Sequence, residues 1–203
     1  HAVNTSEPNE TAELAQLAAA LELIGKLGLV PLAEGGDLPN ESIVLGRFQI
    51  LSERGRGGFG IVLQAFDPVL KREVALKIPR PERLMAGQSP DHFVREAQVA
   101  ARLEHPGIVR VYEAARLGPI WYIASAYCDG PTLVEWHEQQ RKPLTAFIAA
   151  HLVAEVAEAV HYAHSRGVLH LDLKPENILL ELSDSIDELP KPLVTDFGLS
   201  GRS

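Results

Sequence analysis

The chain is short of cysteine, of positive charge and of long apolar runs, and each shortage removes a class of protein. Its 203 residues include one cysteine, Cys128. No intrachain disulfide framework can form, which fits a reducing compartment. Lys and Arg number 19 against 27 Asp and Glu, a formal net charge of -8. Nucleic acid is therefore not expected as the main partner, because phosphate backbones are held by basic surfaces. A local basic pocket for a nucleotide is compatible with that total. No run approaches the roughly 18 uninterrupted apolar residues of a spanning helix. The most apolar stretch, 14–30, is broken by Glu22 and Lys26. The first residue is His1 rather than Met, which leaves open a leader or membrane anchor outside this window.

What is present is ordinary for a soluble globular protein, with 46% hydrophobic and 23% charged residues. Residues 1–12 are polar and read as a tail. From Thr11 a helical pattern follows, with Leu14, Leu17, Leu21, Ile24 and Leu27 at spacings of three and four. Gly28 and Pro31 end it, and 31–42 reads as a linker. This helix is expected to pack on the following domain or to dock a regulatory partner. The pattern then switches to strands at 48–53, 61–66 and 73–78. Ser89-Pro90 starts a helix, Ser as N-cap and Pro at the first helical position, and His105-Pro106-Gly107 stops it. Strands at 109–115 and 120–125 follow, joined at Gly118-Pro119. Beyond Asp129-Gly130 come helices at about 133–140 and 145–165, the second closed by Gly167. Short strands are expected at 168–169, 178–181 and 193–195. The order predicts an α+β fold in two lobes, a five-stranded part with one helix and a mostly helical part, with a hinge near 126–130.

Four motifs carry chemistry. Gly55-Arg56-Gly57-Gly58-Phe59-Gly60 lies between two strands. Glycines let the backbone approach phosphates and aim its N–H groups at them. A dinucleotide-binding turn of similar spelling would lead into a helix, and here an apolar, β-branched segment follows. Lys77 stands on the apolar strand Val74-Ala75-Leu76-Lys77, and Glu96 lies in the middle of the next helix. A lysine on such a strand often snorkels at an edge. Pairing with Glu96 is the sharper reading, since a carboxylate keeps an ammonium charged and aimed. His170-Leu171-Asp172-Leu173-Lys174-Pro175-Glu176-Asn177 supplies a carboxylate, a cation and an amide oxygen within six residues. Phosphoryl transfer needs a group of each kind to orient a hydroxyl, neutralise charge and hold metal. Asp196, in Thr195-Asp196-Phe197-Gly198, follows an apolar strand and suits magnesium, which prefers hard oxygen.

With these motifs in this order, residues 48–198 resemble a protein kinase, and are most similar to the bacterial Hanks-type serine/threonine kinases. The resemblance implies the two-lobed kinase fold: a tail, helix and linker over 1–42, the smaller lobe over 43–127, and the first part of the larger lobe over 128–203. It implies ATP and Mg2+ as cofactors, protein Ser/Thr substrates and a cytoplasmic kinase domain. Gly55, Gly57 and Gly60 would cover the phosphates, and Lys77, held by Glu96, would bind the α- and β-phosphates. Asp172 would be the catalytic base and Lys174 would stabilise the γ-phosphoryl group. Asn177 and Asp196 would hold the metal. Val62 and Ala75 would pack on adenine, the backbones of Ala126 and Cys128 would bond it, and Ser125 would be a small gatekeeper opening space behind it. Lys174, two residues after the base, is the serine/threonine pattern.

Three departures stand out. Leu171 replaces the Arg that many relatives pair with a phosphorylated activation loop, so activation through that contact is not expected. The stretch 181–192 is longer and more acidic than the family's usual hairpin and reads as a surface insertion. The motifs that normally follow the activation segment do not appear in the window. A nucleotide-binding scaffold without catalysis is the main alternative function. A small-molecule kinase of the aminoglycoside type is a weaker one, since it lacks the glycine signature and Asp-Phe-Gly.

Overall fold

A computed structural model describes residues 44–57, 60–79, 97–117, 120–140, 143–183, 185 and 188–197. The expected tail, helix and linker of 1–42, the start of the Ser89-Pro90 helix and Glu96 lie outside them. By contacts the chain divides into two units, His1–Gly87 with Ala115–Ile123, and Gln88–Ala114 with Ala124–Ser203.

The antiparallel sheet is built from β1 (Val44–Leu45), β2 (Phe48–Gly57), β3 (Gly60–Asp67), β4 (Arg72–Pro79), β5 (Val111–Leu117) and β6 (Ile120–Ala126), in the order β1-β2-β3-β4-β6-β5. Five of these strands match the expected ones. The two-residue β1, which extends the sheet beside β2, is too short to leave a period-2 signature. Alternation then sorts the faces. Phe48, Ile50, Leu63, Ala65, Val74, Leu76 and Ile78 are buried on one face, with Leu63 opposite Leu76 and Ala65 opposite Val74. Phe48 meets Tyr122 edge to face at 5.5 Å. The turn joining β3 to β4 is tied by Asp67, whose carboxylate accepts from the Val69 and Leu70 N–H groups and from Arg47. Those donors hold its pKa below the ordinary range even though burial alone would raise it.

The second unit is organised around α2 (Ala146–Ser165), which follows the short α1 (Leu133–Gln139). Both begin at threonine caps. Thr132 forms a reciprocal capping box with Glu135, and Thr145 accepts from the Ile148 N–H. Gly167 at φ 74° ends α2, as its position predicts. By length and hydropathy α2 would also pass as a spanning helix. Its inner residues Leu152, Ala159 and Ala163 are buried, and Ala159 and Ala163 pack with Leu103, Ile108, Val168, Val194 and Phe197. Beyond it, β7 (Ile178–Glu181) pairs with β8 (Lys191–Val194) from Ile178↔Val194 to Glu181↔Lys191.

Two expectations are corrected. Residues 168–169 form no strand, because the Val168 N–H is taken by the Ala163 carbonyl as α2 closes. The acidic stretch 181–192 is not all insertion: Glu181 and Lys191 pair across the ladder at 2.7 Å and Pro192 is buried, which leaves 182–190 as the connection.

The free edge of β8 is covered as well. Ile108 forms a parallel bridge with Val194, the Val194 N–H donates to the Gly107 carbonyl, and the Val109 N–H donates to the Val194 carbonyl. The loop 104–109 is in turn fixed to α2. Tyr162 stacks on His105 at 4.8 Å and its hydroxyl accepts from the Glu104 N–H.

Candidate functional site

In the first unit, register brings three of the expected residues into one row. Gly55 on β2 pairs with Val62 on β3, and Val62 pairs with Lys77 on β4. Ala75 lies two residues from Lys77 and so shares its face, opposite the face of Leu76 and Ile78. The glycine-rich segment, the apolar Val62 and Ala75, and Lys77 therefore share one face of the sheet.

The glycines there do not all serve the same end. A side chain at Gly60, which has φ 148°, would strike the backbone of Ile78. Glycine at that position is a requirement of the fold. A Cβ at Gly55 or Gly57 would meet nothing within 4 Å. Packing therefore does not demand glycine at those two positions.

In the second unit the polar loop after α2 is drawn into a tight cluster. Lys174 Nζ lies 2.9 Å from Asp172 Oδ2. The Asn177 amide nitrogen donates to the Asp172 carbonyl at 2.8 Å and to its carboxylate at 3.2 Å. The hydrogen bond from Lys174 is the main reason that the Asp172 carboxyl sits below its ordinary range. The same contact raises Lys174. Asn177 is buried at the end of a short 3-10 turn, Pro175–Asn177, started by proline. With its nitrogen committed to Asp172, its amide oxygen is the group left to face a cation.

His170 was legible as part of a motif, but its task was not. It is buried beside Phe197, with ring centroids 4.7 Å apart. Nε2 lies 2.8 Å from the Thr195 carbonyl and must donate to it, while Nδ1 accepts from the Asp172 N–H at 3.3 Å. One imidazole thus spans the segments carrying Asp172 and Asp196. Burial lowers its pKa, the Thr195 bond opposing, so the neutral tautomer that this bridge needs is the favoured one. Asp196 itself adopts φ 66°, and the preceding Thr195 N–H donates to the Asn177 carbonyl. A histidine beside alternating leucines in a polar loop is the signal that could have marked it.

Ser125 and Ala126 end β6, partly buried, with the Ala126 N–H donating to the Arg110 carbonyl. Cys128 follows, half-buried, its thiol pKa raised chiefly by that burial. Among the described residues no cluster of three His, Cys, Asp or Glu side chains forms a metal site. The pair Asn177 and Asp196 offers one amide and one carboxylate, which suits magnesium, an ion that takes few protein oxygens and keeps water or phosphate as its other ligands. Glu96, Gly58, Phe59 and Gly198 lie outside the described residues.

Comparison with known proteins matches the protein kinase domain family to residues 48–203. Over 157 residues the chain is 38% identical to the serine/threonine-protein kinase PrkC of Bacillus subtilis, covering 77% of this chain and 23% of that protein. It is 36% identical over 174 residues to the serine/threonine-protein kinase PknF of Mycobacterium tuberculosis, covering 85% of this chain and 34% of that one. The crystal structure of the Mycobacterium tuberculosis PknI kinase domain superposes with a TM-score of 0.67 at 28% identity, covering 79% of this chain and 63% of that one. The chain thus spans a quarter to a third of the length of these curated relatives.

Proposed function

Since the chain belongs to the protein kinase family, we propose that it carries the nucleotide and metal residues of a bacterial serine/threonine kinase that transfers the γ-phosphoryl group of ATP to protein hydroxyls. The observation that carries this reading is the Asp172, Lys174 and Asn177 cluster. A carboxylate kept ionised accepts a proton from an incoming Ser or Thr hydroxyl and orients it for attack. Lys174, already beside it, brings positive charge to the transferring group. Asn177 fixes the carboxylate with its amide nitrogen, which leaves its amide oxygen for the metal. Magnesium, held by Asn177 and Asp196, would supply neutralising charge on the phosphates.

In the sheet, Gly55, Gly57 and Gly60 receive the phosphates, with Lys77 on the α- and β-positions and Glu96 as its partner. Val62 and Ala75 pack on adenine. The Ala126 N–H is already spent on Arg110, so adenine meets the Ala126 carbonyl and the Cys128 backbone. Ser125, a small residue, leaves space behind the ring. The kinase domain works in the cytoplasm on protein substrates.

Asp172→Asn in the full-length protein tests the reading, because it keeps the shape and removes the base. Phosphoryl transfer to a generic Ser/Thr substrate should fall by about 10²–10⁴-fold. Undiminished transfer would sink the enzyme reading and leave a nucleotide-binding scaffold.

A further inference from the structure

The glycine-rich loop contains a side chain with no part in the scheme above. Arg56 sits between Gly55 and Gly57, and its guanidinium grips Glu53 with both arms: Nε donates to Oε1 and Nη2 to Oε2, each at 2.9 Å. Two residues three apart on a strand ordinarily project from opposite faces. Here the register skips a residue between Glu53 and Gly55. Arg54 is the extra residue of a β-bulge, and it returns Arg56 to the face of Glu53. The partner strand confirms the parity, since Glu53 pairs with Leu63 and Arg56 with Ile61, two residues apart on β3. Gly55 pairs with Val62, on the other face. The clamp therefore lies behind the surface that carries Lys77.

This is not an ordinary surface ion pair. The Glu53 side chain is only 8% exposed and the Arg56 side chain 37%. A planar fork on a carboxylate fixes geometry as well as charge.

We propose that Glu53 is a positioning residue for nucleotide binding: through the bulge at Arg54 it holds Arg56, and with it the backbone of Gly55–Gly57, in the phosphate-receiving shape before a nucleotide arrives. The proposal rests on the phosphate-binding reading of this loop. Four glycines within the six residues 55–60 form a chain segment of high conformational freedom, and fixing its one charged side chain removes ordering cost from binding.

Direct titration of a fluorescent ATP analogue onto the full-length protein decides the matter without requiring catalysis. Glu53→Gln should weaken binding about threefold to tenfold, and Arg56→Gln by the same factor. The double substitution should be no worse than either single one. Exchanging the two residues, Glu53→Arg with Arg56→Glu, should recover much of the loss. Thermal melting of each variant separates this from a merely structural role, in which folded yield falls and the affinity of the folded fraction stays put. An unchanged or tighter Kd in Glu53→Gln overturns the proposal. A loss confined to Arg56→Gln overturns it too, since Arg56 would then act on phosphate directly. Failure of the kinase reading shows separately, as phosphoryl transfer that survives Asp172→Asn.

Discussion

At Leu171 the backbone turns through φ 65°, which costs a non-glycine residue roughly 1–2 kcal/mol. The flanking residues hold it there. His170 is anchored to Thr195 and Asp172 to Lys174 and Asn177, so the turn aims both neighbours while the Leu171 side chain lies 56% exposed. An apolar side chain cannot pair with a phosphate, whereas an arginine could. We therefore expect the full-length kinase to keep its rate after phosphatase treatment of its activation segment, measured on a peptide substrate. A collapse in rate on dephosphorylation would count against this. The identity of Leu171 was plain in the sequence as a departure, but its φ was not. That angle accompanies a hydrogen bond of the preceding His170 to a residue 25 positions away, which leaves no local pattern.

The segment after β6 behaves as an element though it is neither helix nor full strand. The Leu180 N–H donates to the Pro131 carbonyl, and Thr132 bridges to Leu179, so 130–132 lies as a strap along β7. A Cβ on Gly130 would overlap the Leu180 carbonyl oxygen. Gly130→Ala should therefore lift the strap and cost about 1–3 kcal/mol in urea unfolding. Because Cys128 and Ala126 precede it, a rise in the KM for ATP should accompany the loss; an unchanged midpoint would show that the strap yields freely. In the sequence Asp129-Gly130 reads as the end of the strands and part of a hinge, but its contact with β7 is hidden, since close approach of two distant backbones leaves no local pattern. Helices α1 and α2 were legible to within a residue or two, because capping threonines and a terminal glycine mark their ends. The bulge at Arg54 was not, because alternation is blurred where glycine and arginine succeed one another.

Across the molecule, acid should act in one direction. His170 is depressed below its ordinary 6.5, so unfolded chains bind its proton first. Its contribution is intact above that value and fades as pH falls from 6.5 toward the folded pKa. Asp172, depressed below 3.8, adds a second loss beneath that value. Urea midpoints should decline between pH 7 and 5, and His170→Gln should flatten that slope; an identical slope would place the sensitivity in another histidine. The fold and the motif order were largely readable because each motif is local. The bridge through His170 was not, being a meeting of segments far apart in the chain. The strand β8, bonded along both edges, has a further meaning in time rather than space. Its amides can exchange with solvent only when β7 or the 107–109 loop comes away, so Val194 should belong to the slowest-opening group of its unit. The carboxylate two residues later should then be hung from one of the last parts of its unit to open.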